Sequence, residues 1–282
     1  MTLSPDAPPA SAAELARRAR ISAVTMCSRS GASHIGAALS VIDILATLYA
    51  GVASVDPSRT QDPARDIVLV SKGHSASGVY AVMAHAGYFP LEWLDDYYLD
   101  GSHLGGHVTA HGIPGVEFST GALGHALPFG VGRALTDALD GIDRRVFVVL
   151  SDGECAEGSN WEAALMAAHH KLRNVTVIVD RNQLQILGRT EDVLGLEPFA
   201  DKWRSFGWDV VEIDGHDYSA LADAMRTRSD RPRAIIANTT KGKGVDFMED
   251  KVEWHTLVPN AEHVASALAQ LETNTTDNGT EA

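Results

Sequence analysis

Two residues with cation-binding chemistry stand where two apolar runs end. Asp152 closes Arg145-VFVVLS-Asp152, and Asn182 follows Val175-TVIVD-Arg181, thirty residues further on. That spacing is about one strand-helix-strand unit, so the two side chains can meet at neighbouring strand ends. A carboxylate oxygen, an amide oxygen and a nearby backbone carbonyl form a hard oxygen site suited to Mg²⁺ or Ca²⁺. Phosphate oxygens and water would complete its coordination. Gly153, next to Asp152, lets the backbone approach such a ligand closely. A plainer use stays open: Asp152 could cap a helix and Asn182 could shape a turn. The twelve histidines divide in the same way. Imidazole can bond hydroxyls and pass protons near neutral pH, yet each histidine taken singly fits a surface or satisfied structural position.

The elements needed to position these groups are legible in the hydrophobic pattern. Strand-like apolar runs recur at Asp66-IVLVS-Lys72, Arg145-VFVVLS-Asp152, Val175-TVIVD-Arg181, Asp209-VVEI-Asp214 and Arg233-AIIA-Asn238. Helical spacing is expected over Ala13 to Cys27, Val41 to Tyr49, Asn160 to Leu172, Tyr218 to Thr227 and Ala261 to Leu271. Strands alternating with helices predict a parallel sheet covered on both faces, with ligand sites beyond the strands' carboxyl ends. Residues 1–12 and 272–282 are polar and aperiodic, as frayed termini are, leaving 13–271 as one expected domain. No internal repeat or linker divides it.

Composition narrows the class. The chain has 282 residues, 45% of them hydrophobic and 21% charged, enough for a substantial core. A formal charge of −14 argues against nucleic-acid binding, so any bound phosphate must be neutralised locally. Neither a run of about twenty apolar residues nor a secretory leader is evident. Membrane association is therefore not expected, and the cytoplasm is the simplest address. Cys27 and Cys155 are too few for a disulfide scaffold and read as ordinary thiols.

Six ordered segments carry a family resemblance. Ser33–Ser40 reads SHIGAALS, Val70–His74 reads VSKGH, and Gly106-His107 precedes Gly115–His125, GVEFSTGALGH. Ser151–Ala164 reads SDGECAEGSNWEAA, Asp180–Gln185 reads DRNQLQ, and Thr240–Gly244, TKGKG, precedes Trp254-His255. Together, from about residue 14 to 260, they resemble the amino-terminal, diphosphate-binding domain of transketolases. The resemblance implies a three-layer, doubly wound parallel α/β sheet of the thiamine diphosphate-binding fold. By it Asp152 and Asn182 bind the cation, with the Leu184 carbonyl as a third protein ligand, and Gly153 and Glu154 belong to the diphosphate side. His34, His107 and His255 become the catalytic candidates lining the substrate channel, with His255 also reaching the cofactor. His74 and Lys241 face the cofactor, and Gly121, Ala122 and Leu123 offer it their backbone. Glu157 and Glu162 match acidic residues that lie toward the interface between active sites, although plain solvent-facing acids fit them equally.

The sequence also departs from the pattern. Ser151 replaces the usual first glycine of GDG-x-x-x-EG, Ile35 and Val108 stand where proline is common, and His125 stands where glutamine is common. Ala37 replaces a small hydroxyl residue. His103, His111, His169 and His170 receive no role. In the family a glutamate on a pyrimidine-binding domain starts proton transfer on the cofactor. The residues after His255 leave no room for that domain, so a partner chain is expected to supply it together with a carboxyl-terminal domain, as an α2β2 assembly. The activity expected is transfer of a two-carbon ketol unit from a ketose or ketose phosphate to an aldose. Alternatives are the alpha subunit of a 2-oxo acid dehydrogenase or decarboxylase, which the histidine series disfavours, and a noncatalytic scaffold, which the intact metal ligands disfavour.

Overall fold

The computed structural model describes residues 11–273. The expected frayed segments therefore lie outside the described residues, apart from Ser11, Ala12, Glu272 and Thr273, which are ordered. Helix α1 runs Ala12–Ser30, its first turn capped by the Ser11 side chain bonding the Glu14 N–H at 3.2 Å. The final helix, α9, runs Ala261–Thr273.

Five strands form one parallel sheet: β1 Ile67–Val70, β2 Val146–Ser151, β3 Val175–Arg181, β4 Asp209–Asp214 and β5 Arg233–Asn238, in spatial order β1-β2-β3-β5-β4. All pairs are parallel, which explains why the central strands read as continuous Val/Ile/Leu runs: both faces are covered. Successive side chains divide between two cores. Val68, Val70, Phe147, Val149, Ile178 and Ile235 pack with α1, α2 (Ile35–Thr47), α3 (Ala76–His85) and α8 (Tyr218–Arg226). Their strand neighbours Leu69, Val146, Val148, Val177 and Ile236 pack against α4 (Ala126–Asp140), α5 (Gly158–His169) and α7 (Phe199–Ser205). A single helical turn, α6 (Thr190–Val193), follows β3. The expected three-layer architecture is the one observed.

Two local differences bear on the site. Where Val41 to Tyr49 was expected, α2 begins at Ile35 and continues into a π-turn over Leu48–Val52. Ile35–Val52 is apolar and long enough to match a membrane span, with hydropathy 1.9, but 83% of it is buried inside the fold. Ser40, Asp43 and Thr47 interrupt its apolar run, and all three are buried against polar partners. The helices α3 and α4 had no counterpart among the expected helices. The Ala- and Gly-rich α3, set close to α2, shows little periodic contrast, whereas α4 does carry an apolar face.

Candidate functional site

Every candidate ligand emerges from a carboxyl end of the sheet. In register, Ser151 of β2 lies beside Asp180 of β3, and Arg181 lies beside Asn238 of β5. Asp152, Asn182 and the loop after β5 thus converge, as do Lys72 to His74 beyond β1. They line a cavity of about 280 Å³, close to the lower limit of ordinary small-molecule sites. His34, His74, His107, Gly121, Leu123, Gly153, Glu154, Leu184, Gln185, Lys241 and His255 also line it.

The oxygen set is preorganised. Asp152 is 1% exposed. Its Oδ1 accepts the Gly153 N–H at 2.7 Å, and its Oδ2 accepts the Gln183 N–H at 2.6 Å and an Arg181 Nη1–H at 3.2 Å. Asn182 Oδ1 accepts the Leu184 N–H at 3.1 Å, while its Nδ2 donates to Ser40 Oγ at 3.4 Å, which fixes the amide's orientation. Beneath them Lys72 and Asp180, both fully buried, form an ion pair joined by Ser40 and Thr239. Burial alone would raise the Asp180 carboxyl, but the Lys72 charge and these hydrogen bonds outweigh it and hold it low.

Charge elsewhere in the cavity is held against its solvation preference. Burial, then the Asp180 charge, raises Asp152. Burial, then Lys72, lowers Lys241 to about 8. A cation beside Asp152 and an anion beside Lys241 would each offset that cost. Gln185 Nε2, a buried donor lining the same cavity, has no partner among the described residues. A Cβ on Gly153 would lie 2.9 Å from Gln185 Cγ, so only glycine keeps this wall in place. The donors, the hard oxygens and the glycine together fit a diphosphate with a divalent cation.

Four imidazoles form the opposite side. Ring centroids of His34 lie 5.5 Å from His74, 5.8 Å from His107 and 5.1 Å from His255, and His74 stacks on His255 at 5.6 Å. His34 sits at the mouth of α2 with φ 71°, a left-handed conformation that costs a non-glycine residue about 1 kcal/mol or more. Its N–H donates to the His255 carbonyl at 2.9 Å, which holds that conformation. Burial, with Lys241 next, pushes His255 down to about 3. Burial and Lys72 hold His74 well below the usual range, and burial with His107 lowers His34. Each of these shifts favours the uncharged ring, whose free nitrogen can accept a hydrogen bond.

Some expected residues do less direct work. Glu154 lines the cavity, but its carboxylate is committed to Ser71 Oγ and to the Gly124 and Ser151 N–H groups. It ties the Gly121–Gly124 segment to β2. The Ala122 carbonyl lies 3.2 Å from His125 Nδ1 and the Leu123 carbonyl 3.0 Å from it. Glu157 and Glu162 are exposed, and among the unassigned histidines His103 stacks on Trp93. Val108, in place of proline, uses its N–H to bond the Gly73 carbonyl at 3.1 Å, a bond proline could not make. Lys72 and Gln185 were missed as site residues. Both lie inside the ordered motifs, but nothing in their types or spacing separates them from surface residues.

The chain matches the family described as transketolase, thiamine diphosphate binding domain, over residues 11–278. It is 46% identical over 241 residues to one subunit of the apulose-4-phosphate transketolase of Actinobacillus succinogenes, covering 85% of this chain and 87% of that protein. It is 38% identical to the 6-deoxy-6-sulfo-D-fructose transketolase subunit SqwG of a Clostridium species, covering 86% and 89%. Transketolase from Leishmania mexicana superposes with a TM-score of 0.86 at 28% identity over 93% of this chain, which spans only 41% of that one. The family match over all of the described residues, and relatives of this identity and coverage, show that the chain belongs to the transketolase family through its thiamine diphosphate-binding domain.

Proposed function

We propose that this chain is the diphosphate-binding subunit of a two-component transketolase. It would move a two-carbon ketol unit from a ketose, or ketose phosphate, to an aldose. The observation that carries the reading is the meeting, in one cavity, of the Asp152–Asn182 oxygen set and the four-histidine cluster. Relatives of similar length, each named as one subunit of a transketolase, support a partner chain. That partner would carry the pyrimidine-binding and carboxyl-terminal domains, in an assembly with two copies of each chain. Relatives named for phosphorylated and sulfonated sugars support a ketose with an anionic end.

Asp152, Asn182 and the Leu184 carbonyl would hold Mg²⁺ or Ca²⁺. Gly153, the Gly121–Leu123 backbone, His74 and Lys241 would hold the diphosphate. Bound there, thiamine diphosphate supplies the electron sink for carbon–carbon cleavage, and the partner's glutamate supplies its activation. His34, His107 and His255 would bond the sugar hydroxyls and pass their protons on.

The test is Asp152→Ala in the complex reconstituted with the partner chain, Mg²⁺ and thiamine diphosphate. Cofactor-dependent ketol transfer should fall by roughly a hundredfold or more, together with cofactor affinity. Unchanged activity would remove the metal assignment.

A further inference from the structure

Beneath the loop that carries Lys241 lies a second buried cluster of charge, outside the cavity. Asp43 of α2 is 2% exposed. It accepts from Arg20 of α1 at 2.9 and 2.6 Å, from the Tyr218 hydroxyl at 2.6 Å and from His216 Nδ1 at 2.7 Å. Burial opposes the charge on Asp43, yet Arg20 and His216 hold its carboxyl well below the usual range. The far nitrogen of His216 accepts the Thr240 N–H at 2.8 Å. A backbone N–H can only donate, so the hydrogen-bond network assigns Nε2 as unprotonated and puts the ring proton on Nδ1, facing Asp43.

The same carboxylate orients Arg20, whose Nε donates to the Lys243 carbonyl at 3.1 Å. Asp43 thus aims two side chains that grip the loop on both sides of Lys241-Gly242, at Thr240 and at Lys243. Two backbone bonds complete the anchorage, Gly242 N–H to the Gly36 carbonyl and Asp250 N–H to the Lys241 carbonyl, each 2.9 Å. Held in this way, Lys241 Nζ lies 2.9 Å from His255 Nδ1 and 3.3 Å from the Leu184 carbonyl.

We propose that His216, oriented by Asp43, is a positioning residue that fixes the Thr240–Gly244 loop so that Lys241 faces the diphosphate cavity. The proposal rests on the transketolase reading for what Lys241 meets, but not for the clamp itself. It differs from a purely structural role, in which His216 merely satisfies a buried carboxylate. Outer groups that orient ligand-binding side chains typically govern affinity rather than folding.

Two amide substitutions separate the roles. The side chain in His216→Asn places a donor near the Nδ1 position, keeping Asp43 satisfied but not reaching Thr240. The longer one in His216→Gln places an acceptor near the Nε2 position, keeping the Thr240 bond. Hydrogen exchange of residues 240–244 is measured in the cofactor-free chain, and thiamine diphosphate affinity with Mg²⁺ in the reconstituted complex. We expect His216→Gln to keep the loop protected and affinity within about threefold, and His216→Asn to expose the loop and weaken affinity about tenfold or more. Cofactor-free melting temperatures should not follow that order. Unchanged loop exchange in His216→Asn, or affinity losses that simply track melting temperature, would overturn the clamp. A wild-type complex that binds no thiamine diphosphate would instead overturn the transketolase reading, leaving the exchange result to judge the clamp alone.

Discussion

At the scale of single residues, one cavity brings four imidazoles together with the Asp152 and Asn182 oxygens. His107 is exposed, and its ring packs against Gly121, whose added Cβ would lie 3.1 Å from His107 Cδ2. With His107 on the substrate side and its backbone unchanged, His107→Ala should spare cofactor binding, read by calorimetry, while lowering ketose turnover by roughly a hundredfold. Lost cofactor affinity with intact turnover would count against its place on the substrate side. Burial also leaves a pH signature away from the site. His85, bonded to Ser22 Oγ at 2.8 Å, is pushed by burial from 6.5 to about 4. Because the unfolded ring takes up its proton first, stability is full above about pH 6.5 and is lost as pH falls toward 4. Urea midpoints measured across that window should fall less steeply in His85→Gln; an identical slope would assign the acid limb to other groups. That Asp152 and Asn182 meet was legible at this scale because they follow apolar runs one strand-helix-strand unit apart, while their role as ligands came from the family resemblance. Lys72 and His216 were not legible, since their roles depend on partners 108 and 173 residues distant in sequence, Asp180 and Asp43.

At the scale of elements, the five strands were readable as apolar runs, and the carboxyl-end placement of the site followed from their parallel order. The apolar face of α4 was present in the sequence and missed, whereas helix α3 was not readable, because close packing replaces hydrophobic contrast there. Gly78 of α3 illustrates this: a Cβ would lie 2.9 Å from the Ala38 carbonyl oxygen of α2. Alanine would gain about 0.5–1 kcal/mol of helix preference, but overpacking against backbone costs about 1–3 kcal/mol. Gly78→Ala should thus be destabilised by about 1 kcal/mol in urea denaturation, and wild-type stability would mean that the two helices separate freely. Since His34 immediately precedes α2, loosening this crossing should also disturb the histidine cluster.

At the scale of the whole molecule, a chain of net charge −14 builds a phosphate site by local means. Arg181 offsets Asp152, Lys72 offsets Asp180, and Lys241 and the Gln185 amide remain directed at the cavity. Neither the sign nor the size of the total charge reveals this; the pairing across strands does. The central claim is that this cavity is one half of a transketolase site, completed by a partner. Its most direct test is ketol transfer from a ketose to an aldose, assayed with thiamine diphosphate and Mg²⁺ for this chain alone, for the pyrimidine-domain partner alone and for their mixture. We expect turnover only in the mixture, lost again when Mg²⁺ is chelated. Full turnover by this chain alone, or a stably assembled mixture with none, would contradict the claim.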